Sequence, residues 1–441
     1  MTPPLSRNRD YRLLWGSQAL SEAGFAASVI ALPLLVLAVT GSPALSGLVL
    51  GVDAMAQLVA GLPAGALADR WNRKKLMLGC EAVYSLAVAS LVATVWWDVV
   101  SIPQLIAVAA VMGCCRSLFG PAEGATLARI VPAAQLPTAV AMNSARGALG
   151  QLSGTAIGGF LYGLARAVPF AFDVLAHTIS FVALCFVRAP HRETEPAADQ
   201  HLGREIVEGL RWVWEEVHVR VTVLCAVSLN FFFSAYFIVI IVLAKDRGIS
   251  SGEIGVMAAM LGVGGVVGSL VAPWLQRRLS PYVSIVSVFW VLTLLTPLAA
   301  VIHDGYLMGA LFVAMALLPP TANTTIGTYQ LLLTPDRLRG RLTSVMGVIG
   351  GVSAATGPAF GGLLVQAVPG TGAVLLCTAG IALVTVIVTC SPTLRRFPRS
   401  DALTTGATAP QPVGGRHHEP PGPAAAPHPT DGPTTTEETQ P

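Results

Sequence analysis

Eight ionisable side chains fall inside stretches of the chain that are otherwise apolar: Glu22, Asp53, Glu81, Arg116, Glu123, Arg146, Asp173 and His177. A charge at the centre of a bilayer-crossing segment costs about 3 kcal/mol or more, so such a group must face a cavity or a partner. All of them lie in the first half of the chain. The nearest second-half counterpart, Glu253, stands at a helix start, where an acid complements the helix dipole. Arg116 and Glu123 are seven residues apart and Asp173 and His177 four apart, so the members of each pair share a helix face. Two chemistries stand open: mutual pairing that holds a helix bundle together, or carriage of protons. Glu22, Asp53, Arg116 and Asp173 are the proton-coupling candidates. Glu81 and Arg146, nearer the ends of their segments, read as structural.

The second half offers a different kind of surface. Asn230, Phe231, Phe232, Phe233, Tyr236 and Phe237 gather aromatic area in one segment, suited to an apolar compound with few directional demands. Asn230 and Tyr236 are its substrate-cavity candidates.

The elements that position these groups follow from composition. Of 441 residues 53% are hydrophobic and 12% charged, about half the charge of a soluble domain. Residues 221–244, 254–276, 279–302 and 342–394 contain no Asp, Glu, Lys or Arg, and the last run is long enough for two membrane spans, divided at Pro369, Gly370 and Gly372. A β-barrel would show short alternating segments, so the spans are helices. The expected spans are 13–39, 44–68, 76–97, 102–128, 138–164, 167–188, 221–244, 253–276, 282–302, 305–331, 341–366 and 370–391. The first is too long for a signal-peptide core and reads as a retained helix. The fold class is an all-α membrane protein, twelve transmembrane helices in two pseudo-symmetric six-helix bundles. Its parts are 1–188, a linker at 189–220, a second bundle at 221–395 and a disordered tail at 396–441. In the linker, Ile206, Leu210, Val213 and Val217 line one face of an interfacial helix carrying Trp212 and Trp214.

The net charge is only +3, but the cations cluster in alternate loops, which places both termini in the cytoplasm and the chain in the inner membrane. The seven cysteines have no metal-ligand spacing and read as packing residues. No G-x-x-x-x-G-K-[ST] loop is present, which argues against an ATPase, and neither an enzyme nor a cofactor is expected.

An internal repeat links the two halves. Pro132 is followed at one spacing by Gly154, Gly158 and Gly159, and Pro335 at the same spacing by Gly357, Gly361 and Gly362. Glycines at helical intervals let helix backbones approach closely, so the fifth and eleventh spans are the expected gliding contacts. Tight static packing is the alternative.

Three groups of residues carry a family resemblance. Residues 65–74, with Gly65, Asp69, Arg70, Arg73 and Lys74, are similar to the loop signature G-x-L-a-D-r-x-G-r-k of the major facilitator superfamily, with Asn72 at its second glycine. Asn tolerates a left-handed turn. Residues 150–159, with Gly150, Gly154, Gly158 and Gly159, resemble the g-x-x-x-G-P-x-x-G-G pattern of antiporters with Thr155 at its proline, and the eleventh span has that proline as Pro358. Arg116 resembles the basic residue of the fourth-helix motif R-x-x-q-G, with Gly120 one position late. Segments 8–15, 116–122 and 208–214 look like the branch containing macrolide-efflux and enterobactin-exporter proteins. The resemblance implies a latch in which Asp69 meets the start of the eleventh span near Gly340 and Arg341, against purely topogenic roles for its basic neighbours. It further implies export of small lipophilic compounds by proton antiport and alternating access. The expected partners are that substrate, protons and membrane lipids, without nucleic acid and as a monomer. A nutrient importer or uniporter and a non-transporting membrane sensor are the alternatives.

Overall fold

The computed structural model describes residues 5–188, 210–334, 336–368 and 370–395, with side chains throughout except at positions 66, 69, 133, 331–333, 336–341, 343 and 344. The expected tail and most of the expected linker lie outside the described residues. At residues 210–215 the chain is helical, and Val213 is buried against Val219, Val223, Leu342 and Val345. Of the expected apolar face, Leu210 and Val217 are exposed instead.

The first bundle holds α1 (Arg9–Thr40), α2 (Pro43–Arg70), α3 (Arg73–Trp96), α4 (Ile102–Ile130), α5 (Leu136–Leu164) and α6 (Val168–Phe186). The second holds α7 (Val217–Asp246), α8 (Ser251–Arg278), α9 (Pro281–Leu295), α10 (Gly305–Ala316), α11 (Pro319–Leu333), α12 (Asp336–Ala367) and α13 (Thr371–Cys390). Among the described residues eleven stretches are long and apolar enough to cross a membrane, α10 and α11 counting as one. The twelfth spanning helix, α5, has 29 residues, but Asn143, Ser144, Arg146 and Gln151 lower its hydropathy.

Local chemistry sets the helix ends. Asn8, Ser42, Ser280 and Asp304 accept N-terminal amides of α1, α2, α9 and α10, and Ser250 with Glu253 forms a capping box on α8. Gly41, Gly248 and Gly370 take positive φ at turns, the last at the expected break between the final two spans. Asn72 departs from expectation. Its φ of −65° is not left-handed, and its side chain caps α3 by accepting the Lys75 amide at 3.1 Å. The expected single span 305–331 is two helices, because Pro319 and Pro320 cannot donate to the turn before them.

Packing repeats between the bundles. In the first, α1 lies on α5, α2 on α4 and α3 on α6; in the second, α7 lies on α12, α8 on α10 and α9 on α13. Across the bundles α2 meets α12 and α5 meets α8. Trp71, Trp214 and Trp274 are exposed at one end of the helices and Trp96 and Trp97 at the other, as in the aromatic belts of a bilayer.

Candidate functional site

On α1, Gln18, Ser21, Glu22 and Phe25 recur at helical spacing and line a cavity of about 170 Å³ in the first bundle. Glu81 and Tyr84 from α3, Arg116 and Glu123 from α4 and His177 from α6 complete its polar wall.

At its inner end an imidazole lies between two carboxylates. His177 Nδ1 is 2.5 Å from Glu81 Oε2, and Nε2 is 3.4 Å from Asp173 Oδ1. Glu81 Oε1 accepts from Gln18 Nε2 at 2.9 Å and Ser180 Oγ at 2.8 Å. Asp173 Oδ2 accepts from Ser28 Oγ at 2.6 Å and Tyr84 OH at 2.9 Å, and the Tyr84 ring stacks on His177 at 3.8 Å. Glu81 is 2% exposed and Asp173 0%. Gly24 makes the approach of α6 to α1 possible, since a Cβ there would stand 2.7 Å from Asp173 Oδ1. Even a protonated His177 balances only one of the two carboxylates. Uptake of one more proton therefore removes a buried net charge, and its release restores that charge.

Two ion pairs flank this cluster. Arg116 Nη2 is 3.0 Å from Glu22 Oε2, and its guanidinium lies 4.1 Å over the Phe25 ring. Gly150 gives Glu22 its room, because a Cβ at that position would strike the Glu22 Cβ. Arg146 holds Glu123 with its two terminal nitrogens, at 2.6 and 3.1 Å, in a buried fork. Asp53, also buried, accepts from Gln57 Nε2 at 2.8 Å, and its Oδ1 has no hydrogen-bond partner among the described residues.

The structure places Asp173 with His177, as their helical spacing suggests, and joins Arg116 to Glu22, a pairing between helices that no spacing indicated. It does not join Arg116 to Glu123, whose partner is Arg146. Glu81, read from sequence as structural, stands at the centre. The polar stripe of α1 and the three-residue step from Glu81 to Tyr84 were the available signals.

The loop signature acts largely within the first bundle. Arg73 Nε donates to the Ala68 carbonyl at 3.1 Å and Nη1 to Ala125 at 3.5 Å, while Lys74 Nζ donates to the Cys185 and Val187 carbonyls at 2.8 Å each. These cations cap the ends of α2, α4 and α6. Arg70 is exposed, and a Cβ at Gly65 would meet nothing within 4 Å. The side chains of Asp69 and Arg341, on which the expected latch depends, lie outside the described residues.

The paired glycines divide their work. Gly154 and Gly158 press on Ala23, Ala26 and Ala27 of α1, and Gly357 and Gly361 press on α7 around Ala235. The second glycine of each pair crosses to the other bundle, Gly159 to Gly255 of α8 and Gly362 to Pro43 of α2, and Gly47 meets Pro358. These cross-bundle contacts lie in the helix halves away from the termini. Cross-bundle contact continues to mid-helix, where a Cβ at Gly351 would meet Leu58 of α2 and one at Gly262 would meet Leu152 of α5, whereas a Cβ added at Gly147, Gly347 or Gly350 would meet nothing within 4 Å. In the second bundle Asn230 lines a separate cavity. Tyr236 does not: it is 1% exposed, and its hydroxyl donates to the Thr296 carbonyl at 3.1 Å.

Two six-helix bundles crossing at α2–α12 and α5–α8 define a transporter of the major facilitator fold. Solved structures share it: the nucleoside transporter NupG, with a TM-score of 0.69 at 12% identity over 88% of this chain and 100% of that one, and a bacterial homologue of the human lysosomal transporter Spinster, in an inward-facing and unoccupied conformation, with 0.64 at 15% over 87% and 94%. The chain belongs to the transmembrane secretion effector family of that superfamily, matched over residues 2–422. It is therefore a multi-pass membrane transporter and not an enzyme. Among curated relatives, the multidrug efflux pump Tap of Mycolicibacterium fortuitum is 27% identical over 76% of this chain and 83% of its own length. The Mycobacterium tuberculosis (strain ATCC 25618 / H37Rv) pump Tap is 28% identical over 44% of this chain, so the match spans about half, 48%, of that relative. Macrolide efflux protein A of Streptococcus pyogenes is 23% identical over 45% and 49%.

Proposed function

We propose that the chain exports small lipophilic compounds by proton antiport, rocking between states open to either side of the membrane, with both termini in the cytoplasm. The observation that carries the coupling is the buried Glu81–His177–Asp173 cluster, which opens through Glu81 and His177 onto the first-bundle cavity. The relatives named as efflux pumps support the direction. With the termini cytoplasmic, the cross-bundle glycine contacts close the outer side, an inward-facing arrangement in which a compound loads from the cytoplasm or inner leaflet. An incoming proton neutralises the cluster and a departing one recharges it, so the two states differ in the cost of burying it. Glu22 with Arg116 borders the same cavity and tunes its charge, and Asp53, buried on α2, is a further candidate carrier. The bundles at 1–188 and 221–395 move as the rocking bodies, with 189–220 as their tether and 396–441 dispensable.

The test is dye and antibiotic accumulation in a host lacking its own efflux pumps. Expression should lower accumulation, and an uncoupler should restore it. Raised accumulation on expression would support the importer alternative and defeat this one.

A further inference from the structure

The second bundle has a cavity lined by no charged residue, and it sits where the tenth span is broken. Pro319 and Pro320 have no N–H, so the carbonyls of Met315 and Ala316 lose the donors that a continuous helix would supply four residues on. The chain stops at Ala316 and restarts at Pro319, with Thr321 and Ala322 donating to the Leu318 carbonyl at 3.0 and 3.3 Å. Unpaired backbone acceptors at this depth persist in membrane proteins where they line a cavity rather than lipid.

A cavity of about 250 Å³ lies at that point, walled by Ala316, Pro319 and Pro320, by Asn230 and Phe233 of α7, and by Gly265 of α8. All of these positions are near the middle of their spans, hence near the bilayer midplane. Asn230 uses one of its two amide hydrogens on the Ala226 carbonyl at 2.8 Å, so its oxygen and its second N–H remain for a ligand. Asn323, also on the wall, can turn either its oxygen or its nitrogen inward. The site thus presents the Ala316 carbonyl and two side-chain amides for hydrogen bonding, backed by one aromatic ring.

We infer that this cavity is the substrate subsite of the second bundle and that it takes a hydroxyl or amino group borne on an otherwise apolar, ring-containing compound. The inference rests on the export reading for its physiological role. The hydroxyl or amino group on the compound donates to the Asn230 oxygen or to the Ala316 carbonyl freed at the break, while Phe233 packs on the ring.

The test uses the full-length protein in lipid nanodiscs for binding and in proteoliposomes for transport, with two lipophilic cations as probes. Ethidium carries two amino groups, and tetraphenylphosphonium carries no donor. Three variants address the site independently. Asn230→Leu removes an acceptor. Pro320→Ala returns an N–H to the Ala316 carbonyl. Gly265→Leu fills the cavity at a position where an added Cβ meets nothing within 4 Å. Asn230→Leu and Pro320→Ala should each weaken ethidium binding by about tenfold, the effect of one buried hydrogen bond, and Gly265→Leu should weaken it at least as much by occluding the site. Tetraphenylphosphonium, which has no donor to place there and binds elsewhere in the protein, should stay within about twofold. Retained phosphonium binding also shows that each variant is folded. The subsite is overturned if the wild type does not bind ethidium, if all three variants bind it normally, or if the two probes weaken in step. Ethidium binding that depends on these residues without transport under a pH gradient would instead sink the export reading and leave the subsite standing.

Discussion

A single imidazole between Glu81 and Asp173 sets the chemistry available to the first bundle, and its neighbours fix the roles by geometry. Glu81→Gln and His177→Gln should abolish accumulation driven by a pH gradient while sparing downhill substrate exchange in proteoliposomes. Binding and rocking do not require the titrating group. Full gradient-driven transport by both variants would remove the cluster from the coupling mechanism. The Arg146–Glu123 fork predicts the opposite kind of phenotype. Arg146→Leu leaves a buried carboxylate without its partner, which costs about 3 kcal/mol, so thermal unfolding should shift down and expression should fall. Unchanged melting would mean that Glu123 finds another cation.

At the level of helices, the two adjacent glycines of α5 separate stability from movement. Gly158→Leu drives a side chain into the α1 backbone within one bundle, an overpacking worth about 1–3 kcal/mol, and should appear as a lower melting temperature. Gly159→Leu instead wedges α5 from α8 across the bundles. It should hold the outer side open, with near-normal melting and blocked exchange. A reporter fits one turn on: at Gly163 an added Cβ comes only to 3.9 Å from Gly252, so Gly163→Cys is tolerated. In a background without the exposed Cys185 and Cys390, impermeant thiol labelling of that cysteine should rise sharply when Gly159→Leu is added. Equal labelling with and without the wedge would count against α5–α8 as the closing contact.

For the whole molecule, the two crossings α2–α12 and α5–α8 form one closure with two seams related by the internal repeat. Gly362→Leu at the α2–α12 seam should therefore reproduce the Gly159→Leu transport defect, since Gly362 stands against Pro43 as Gly159 stands against Gly255. Normal transport with a wedge at only one seam would show that the seams open independently rather than as one rigid-body rotation.

Much of this architecture is a property of the chain read linearly. Spans follow from charge-free runs longer than a bilayer is thick, the break at Gly370 from a Pro–Gly turn, and the pairing of bundles from the equal spacing of Gly158–Gly159 and Gly361–Gly362. These signals are local or periodic, so neighbouring residues carry them whole. The broken tenth span was equally present in Pro319 and Pro320, but hydropathy alone reads across it. Only the tertiary structure decided partners. Arg116 reaches Glu22 on α1 rather than Glu123 on its own helix, Glu81 gathers hydrogen bonds from α1 and α6, and Tyr236 turns into the bundle while Asn230 faces a cavity. Which glycine of each pair faces its own bundle and which faces the other was likewise undecided until the helices were placed. Helical spacing fixes the face a residue shares with its neighbours, whereas the rotation of each helix about its axis is set by the packing of all the others.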